Sequence, residues 1–303
     1  MVAERMSPGA AVTVRTPASS ANLGPGFDSV GIALGVWDQC EVLITERPGV
    51  EVVVEGEGAG AVPLDETHLV VRTMYAAWTE LGVAPPPGLA LRCLNQVPHG
   101  RGMGSSATAI VTGIVAAQAL SGRVDLGAAC DLASRLEGHP DNASASVYGG
   151  LTLSWSDGSG APGTVRTVSP TPHENLRVVL FVPQEQLSTA RARSVLPTQV
   201  RLVDAAANSA RVGLLVHAVT SQPELLVPAT RDWLHQEARR SSYPDSMALV
   251  DRLRAQGHAA VISGAGPSVL VLTTTAQIDS VAGWPSWQRL TPGIPDRGAY
   301  VVA

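Results

Sequence analysis

The sequence contains no lysine: all 21 of its basic residues are arginine. Such a chain cannot build a Walker-A loop, whose lysine sits on the phosphates, or the strand-borne lysine of a protein kinase. Nor can it form a Schiff base with pyridoxal phosphate or an aldolase substrate. Its 3 cysteines, Cys40, Cys93 and Cys130, include no C-x-x-C pair and fit reduced, buried thiols better than a disulfide frame or zinc site. No run approaches the roughly 20 apolar residues of a membrane span. The N-terminus, with Glu4 and Pro8 close together, does not read as a secretory signal. The net charge of −5 comes without a block of like charges, so the basic footprint demanded by nucleic acid or an anionic membrane is missing. No G-x-S-x-G elbow of a serine hydrolase and no internal repeat occur. The expectation is a cytoplasmic protein that binds neither nucleic acid nor membrane.

What is present reads as globular. With 303 residues, 45% hydrophobic and 16% charged, the chain is long enough for a sizeable core and close to two domains of roughly 150 residues each. Residues 157–172, rich in Gly, Pro, Ser and Thr, read as the boundary, giving domains 1–160 and 161–303. In the first half the patterning predicts strands over 11–16, 36–45, 50–54, 89–94 and 151–155. Helices are predicted over 67–81, with Thr67 as cap, 105–120 and 125–136. The second half predicts strands over 176–182, 259–263 and 268–273 and helices near 199–218, 223–239 and 244–256. Strands and helices mixed in both halves argue an α+β fold.

Between a strand and a buried helix lies Pro98-His-Gly-Arg-Gly-Met-Gly-Ser-Ser-Ala107. Its glycines let the backbone approach an anion, and the helix beyond offers unpaired N–H groups and the positive end of its dipole, so triphosphate can be held without lysine. The Ser105 and Ser106 hydroxyls can cap that helix, and one can reach a magnesium ion.

Taken whole, the loop resembles the phosphate loop of the GHMP kinases. Thr16-Pro-Ala-Ser-Ser-Ala-Asn-Leu-Gly-Pro-Gly-Phe-Asp28, Glu137-Gly-His-Pro-Asp-Asn142, Ser188-Thr-Ala-Arg-Ala-Arg-Ser-Val-Leu-Pro197 and Ser263-Gly-Ala-Gly-Pro-Ser268 resemble motifs of the homoserine kinase branch, in the same order. Mevalonate kinases and galactokinases carry a lysine and an arginine, respectively, near the first motif, where this chain has Ser19 and Ser20.

The resemblance implies an N-terminal half like the second domain of ribosomal protein S5, a ferredoxin-like C-terminal half, and ATP between them. It implies transfer of a phosphoryl group to the side-chain hydroxyl of L-homoserine in threonine biosynthesis, and it allows a homodimer. ATP would be held by Pro98, Gly100, Arg101, Gly102, Met103, Gly104, Ser105, Ser106 and Ala107, and Mg2+ by Ser106 and Glu137, with Asp131 in reserve. Asp28 would take the substrate amine, Arg193 and Arg239 its carboxylate, and Asn22, His139 and Thr189 would complete the pocket. Arg191 and Arg240 are neighbours able to take either arginine role.

Asp141 and Asn142 would lie at the reacting hydroxyl, Asp141 orienting the site rather than titrating. The glycine motif at 263–268 is expected to be structural first. His68 departs from an asparagine frequent in relatives, which leaves the adenine contacts open. Two alternatives remain: a GHMP kinase for a mevalonate-like alcohol, and a non-catalytic ligand-binding member.

Overall fold

A computed structural model describes residues 6–157 and 164–302; Glu4 and the middle of the predicted boundary segment lie outside them. Two sheets organise the chain. The first has seven strands: β1 (Ala11–Asn22), β2 (Gly26–Thr45), β3 (Gly49–Gly56), β4 (Gly88–Asn95), β5 (Leu151–Ser156), β6 (Val165–Val168) and β11 (Tyr300–Val301). Its central path runs β11-β1-β2-β4-β3, parallel only between β3 and β4, while β5 pairs with β2 and carries β6. The second is an antiparallel sheet in the order β10-β7-β9-β8, from β7 (Leu176–Val182), β8 (Ala259–Ile262), β9 (Val269–Thr274) and β10 (Gln288–Leu290). Fourth, first, third, second is the ferredoxin-like strand order. The second crossover is reduced to a 3-10 turn at Ile278–Ser280. Fold class thus agrees with the α+β expectation.

β1 and β2 run far beyond 11–16 and 36–45 because Ala18, Ser19, Ser20 and Ala21 are all buried, so the alternation that marks a half-buried strand is lost. Helices α1 (Leu69–Leu81), α2 (Ser105–Leu120), α3 (Leu126–Glu137) and α4 (Pro140–Tyr148) accompany the first sheet. The structure corrects several expectations here. Helix α1 starts after His68, and Thr67 instead donates its N–H and hydroxyl to Asp65 Oδ1, at 2.9 and 2.6 Å. Gly104 occupies the N-cap of α2, with no side-chain cap from Ser105 or Ser106. Helix α4 was not predicted; Pro140 opens it as a first-turn proline.

In the second half α5 (Thr189–Ser194), α6 (Leu202–Thr220), α7 (Leu226–Ala229) and α8 (Pro244–Ala255) follow β7. The helix expected over 223–239 does not form as one. After a 3-10 turn at Pro223–Leu225 and the single turn α7, the Asp232 carboxylate accepts the N–H groups of Leu234, His235 and Gln236. Local side-chain acceptors of this kind compete with helical bonding.

One apolar core lies between the first sheet and its helices, and another lies on the α8 side of the second sheet. A third joins the two halves, packing Ala18, Leu23 and Ile32 with Val178, Leu180 and Leu270. The two sheets therefore share a seam of packed side chains, and the pocket opens along it.

Candidate active site

The phosphate loop crosses from β4 to α2 with Gly100, Gly102 and Gly104 at φ of 65, 70 and 68°, a region that favours glycine. A Cβ on Gly102 would stand 2.2 Å from the Ser263 carbonyl oxygen, and one on Gly104 2.2 Å from Ser19 Oγ. These two glycines thus serve close packing as well as backbone freedom, Gly102 against the 263–268 turn and Gly104 against β1. Ser263 Oγ fastens the two loops, donating to Gly102 O at 2.6 Å and approaching Ser20 Oγ at 2.8 Å. Gly264, Ala265 and Gly266 line the cavity alongside the phosphate loop.

The loop's other residues hold its shape. Arg101 spends its guanidinium on the carbonyls of Pro183, Gln184 and His99, at 2.9, 2.9 and 3.2 Å. Met103 and Ala107 are buried in the core, and Pro98 begins the turn. Their side chains do not face the cavity, whereas Ser105 and Ser106 line it.

Glu137 ends α3, where Gly138 takes the left-handed conformation and turns the chain toward His139. Ser106 Oγ donates to Glu137 Oε1 at 2.5 Å. Burial pushes the Glu137 carboxyl above its ordinary pKa, the Ser106 bond pulling the other way. A desolvated carboxylate satisfied by one hydroxyl beside a phosphate loop suits a cation site. Among the described residues no group of three or more His, Cys, Asp or Glu is placed to hold a metal, so a magnesium ion here would also need oxygens from the nucleotide. The reserve candidate Asp131 is turned elsewhere, paired with Arg135 at 3.2 Å and accepting the Val165 N–H at 2.9 Å.

The first turn of α4 presents Asp141 and Asn142 to the cavity. Asp141 Oδ1 accepts the Asn142 N–H at 2.8 Å and lies 2.9 Å from His139 Nδ1. Burial depresses the His139 pKa, but the Asp141 bond and charge outweigh it and hold it above the usual histidine value. Ser19 Oγ donates to Asn142 Oδ1 at 3.1 Å, fixing the amide.

Asn22 and Asp28, at φ of 70 and 55°, frame the β1–β2 turn in the left-handed region that Asn and Asp tolerate better than other side chains. Asn22 accepts the Asp28 N–H at 3.1 Å and donates to Gly264 O at 2.9 Å, tying this turn to the second half. Arg193 grips Asp28 bidentately, at 3.2 and 2.5 Å. Burial opposes the Arg193 charge, and Asp28 more than restores it. Arg239 is 1% exposed and lines the cavity, yet forms no ion pair with any carboxylate among the described residues. Arg191 does not line the cavity, and Arg240 pairs with Glu237 and Asp251 at the surface, which separates the two neighbouring-arginine choices. Thr189, at the start of α5, also lines the cavity.

Sequence reasoning missed Phe27 and His235. The Phe27 ring lies under both guanidinium groups, 5.7 Å from Arg193 and 5.6 Å from Arg239, with the His235 ring stacked 5.1 Å away. The four-residue spacing of His235 and Arg239 was the available signal. A second, mostly apolar cavity of about 280 Å³ adjoins the first at Ser105 and Ser106, lined by His68, Leu69, Val70 and the facing Cys40 and Cys93. His68 Nδ1 is buried without a hydrogen-bond partner.

The GHMP kinases N terminal domain model matches residues 68–150 and the GHMP kinases C terminal model residues 216–283. The homoserine kinase of Streptomyces avermitilis is 48% identical over 97% of this chain and 96% of its own length. This chain belongs to the homoserine kinase family of GHMP kinases. The homoserine kinase of Streptomyces coelicolor is 47% identical over 97% of this chain and 95% of its own. A crystal structure of the Cytophaga hutchinsonii homoserine kinase superposes with a TM-score of 0.81 at 24% identity, covering 96% of this chain and 97% of that one, a likeness of fold. The phosphate loop lies within the N-terminal match, and Arg239 and the 263–268 turn lie within the C-terminal one.

Proposed function

We propose that this chain transfers the γ-phosphoryl group of ATP to the side-chain hydroxyl of L-homoserine, releasing ADP and O-phospho-L-homoserine, as a cytoplasmic enzyme of threonine biosynthesis. The observation that carries the substrate is the charge pattern opposite the phosphate loop. Asp28 and Arg193 are held as a pair, and Arg239 is a buried cation with no carboxylate partner among the described residues. A buried charge left unpaired is costly, and a substrate carboxylate supplies what it lacks. A zwitterionic amino acid matches this set: its amine meets Asp28, its carboxylate meets Arg193 and Arg239, and Asn22, His139 and Thr189 close the site. Mevalonate has no amine to answer Asp28, and a non-catalytic member would have no need of the paired Ser106 and Glu137.

The triphosphate lies along the loop backbone, with the base in the adjoining apolar cavity. Ser106 and Glu137 would hold a magnesium ion brought with the nucleotide, which would supply positive charge against the phosphates. The homoserine hydroxyl oxygen bonds to the γ-phosphorus as the bond to the β-phosphate oxygen breaks, and the hydroxyl proton passes to water. In a loose transition state positioning and charge do most of the work. Asn142 stands beside the hydroxyl, and Asp141 orients Asn142 and His139.

The test is ADP release from magnesium-ATP with L-homoserine, L-threonine, L-serine and mevalonate offered separately, repeated with Asp28→Ala. Homoserine-selective turnover, reduced at least about tenfold in the variant, is expected from the loss of one charge-assisted contact. Turnover on mevalonate alone would sink the substrate, and silence with all four from folded, ATP-binding protein would sink the kinase reading.

A further inference from the structure

The buried arginine of the pocket is held by one carbonyl of the 188–197 motif and by His235, which belongs to no motif. Arg239 Nε donates to Ala192 O at 2.9 Å, and Nη1 lies 3.1 Å from His235 Nδ1. A charged guanidinium has only donors, so Nδ1 must present its lone pair. The ring proton then sits on Nε2, which donates to Gly24 O at 2.7 Å. Both ring nitrogens are used, and the Phe27 ring stacked on the imidazole at 23° fixes its plane. His235 is 1% exposed, so no water competes for these bonds.

The carboxylate nearest the ring, Asp232, stands 3.6 Å from Nε2, beyond a good hydrogen bond, and spends its oxygens on three backbone N–H groups. Burial lowers the His235 pKa below the ordinary value, with Asp232 and Asp28 pulling it up and Arg239 pushing it down. A neutral acceptor is thus built against a buried cation, on a segment whose helical bonding Asp232 interrupts.

We propose that His235 is a positioning residue for the reaction: its neutral imidazole, clamped between Gly24 O and Phe27, aims the Arg239 guanidinium at the substrate carboxylate. This rests on the reading of Arg239 as a carboxylate ligand. Histidine suits the role because one nitrogen accepts from the arginine while the other anchors the ring to the β1–β2 turn, the turn that also carries Asp28. Substrate amine and carboxylate sites are thereby set at a fixed spacing by one ring.

Two substitutions separate the two nitrogens. In His235→Asn the side-chain oxygen falls near the place of Nδ1 and can accept from Arg239, while the bond to Gly24 is lost. In His235→Gln the amide reaches the place of Nε2 and can donate to Gly24, while the arginine loses its acceptor. Steady-state KM for homoserine and for ATP, with kcat, are measured for both, alongside Arg239→Gln and with melting temperatures recorded.

The expected result for His235→Gln is a rise of about tenfold or more in homoserine KM with ATP KM within about twofold, the value of one charge-assisted contact. His235→Asn is expected to recover most of that loss. Equal effects of both variants on the two KM values, or a fall in melting temperature with homoserine KM unmoved, would make His235 merely structural and overturn the proposal. If Arg239→Gln raises homoserine KM but His235→Gln does not, positioning fails and the carboxylate reading stands. If Arg239→Gln itself leaves homoserine KM unchanged, the carboxylate reading fails and takes the proposal with it.

Discussion

At its phosphate end the cavity is walled largely by backbone, with Gly100, Gly102 and Gly104 at positive φ and Gly102 packed on the 263–268 turn. At its amino-acid end it is walled by the charged side chains of Arg193 and Arg239, with Asp28 paired to Arg193 and Phe27 beneath both guanidinium groups. The triphosphate is the same in every turnover and presents oxygen in all directions, so fixed N–H groups at a helix start suffice. A small zwitterion must be told from its near neighbours, which takes charges at set spacings. The absence of lysine sharpens the contrast: in the proposed binding mode no lysine reaches the phosphates, which fall to the loop backbone and the start of α2.

The largest expected effect comes from breaking the backbone end. Gly102→Ala places a Cβ 2.2 Å from Ser263 O and 2.9 Å from Gly266 O, at a φ of 70° that already strains an alanine. Left-handed backbone costs alanine about 1–2 kcal/mol, and the collision with carbonyl oxygens adds to it. We expect kcat/KM to fall at least about a hundredfold, equivalent to roughly 2.7 kcal/mol, through the ATP KM and kcat. Homoserine KM should move little. Steady-state kinetics with each substrate varied in turn decide it, and near-normal ATP KM would show that the loop tolerates displacement.

How legible each end was in the sequence follows from the same contrast. A backbone site is a contiguous string, and Pro98 to Ala107, with α2 beginning at Ser105, could be read directly. The amino-acid end was legible only through resemblance, since nothing in the spacing of Asp28, Arg193 and Arg239 says that they meet. Phe27 and His235 stayed hidden because their contacts are tertiary: a ring stack and bonds to Gly24 and Arg239, which appear only once the second half folds onto the first. The failed helix over 223–239 has a related cause, because apolar periodicity cannot register that Asp232 will capture three N–H groups. The buried small residues of β1 escaped for lack of alternation, and α4 was masked by the motif laid over its first turn.

A smaller effect is expected at the seam, where Asp141 stands between the two ends. Asp141→Asn keeps an oxygen able to accept the Asn142 N–H, now made at 2.8 Å, and a donated proton from His139 Nδ1. If Asp141 orients the site, kcat should fall no more than about tenfold, the cost of weakening charge-assisted bonds. A kcat at background would make it a general base and join the seam to the chemistry. Rapid-quench turnover at saturating ATP and homoserine measures this without interference from either KM.

The smallest effect on catalysis is expected at Asp38, which supports the phosphate end from the wall of the adjoining apolar cavity. Its Oδ1 accepts the N–H groups of Gln96 and Val97, at 2.7 and 2.9 Å, where β4 gives way to the phosphate loop. Burial pushes its pKa up to about 6 from an ordinary 3.8, against those two bonds. Because the folded carboxyl keeps its proton to a higher pH than the unfolded one, the folded state binds more protons between these values. Unfolding free energy should therefore decline as pH rises from about 4 to about 6 and level off above, by roughly 2–3 kcal/mol in all. Asp38→Asn retains a carbonyl oxygen for both N–H groups and removes the buried charge. It should flatten that portion of the pH profile and stabilise the protein at neutral pH, with kcat and homoserine KM unchanged. Urea unfolding at pH 4.5, 5.5 and 7 reads the slope. A variant less stable than the parent at pH 7 would mean that the charge on the acceptor, rather than its shape, holds the loop's entry, and the phosphate end would then depend on a side chain after all.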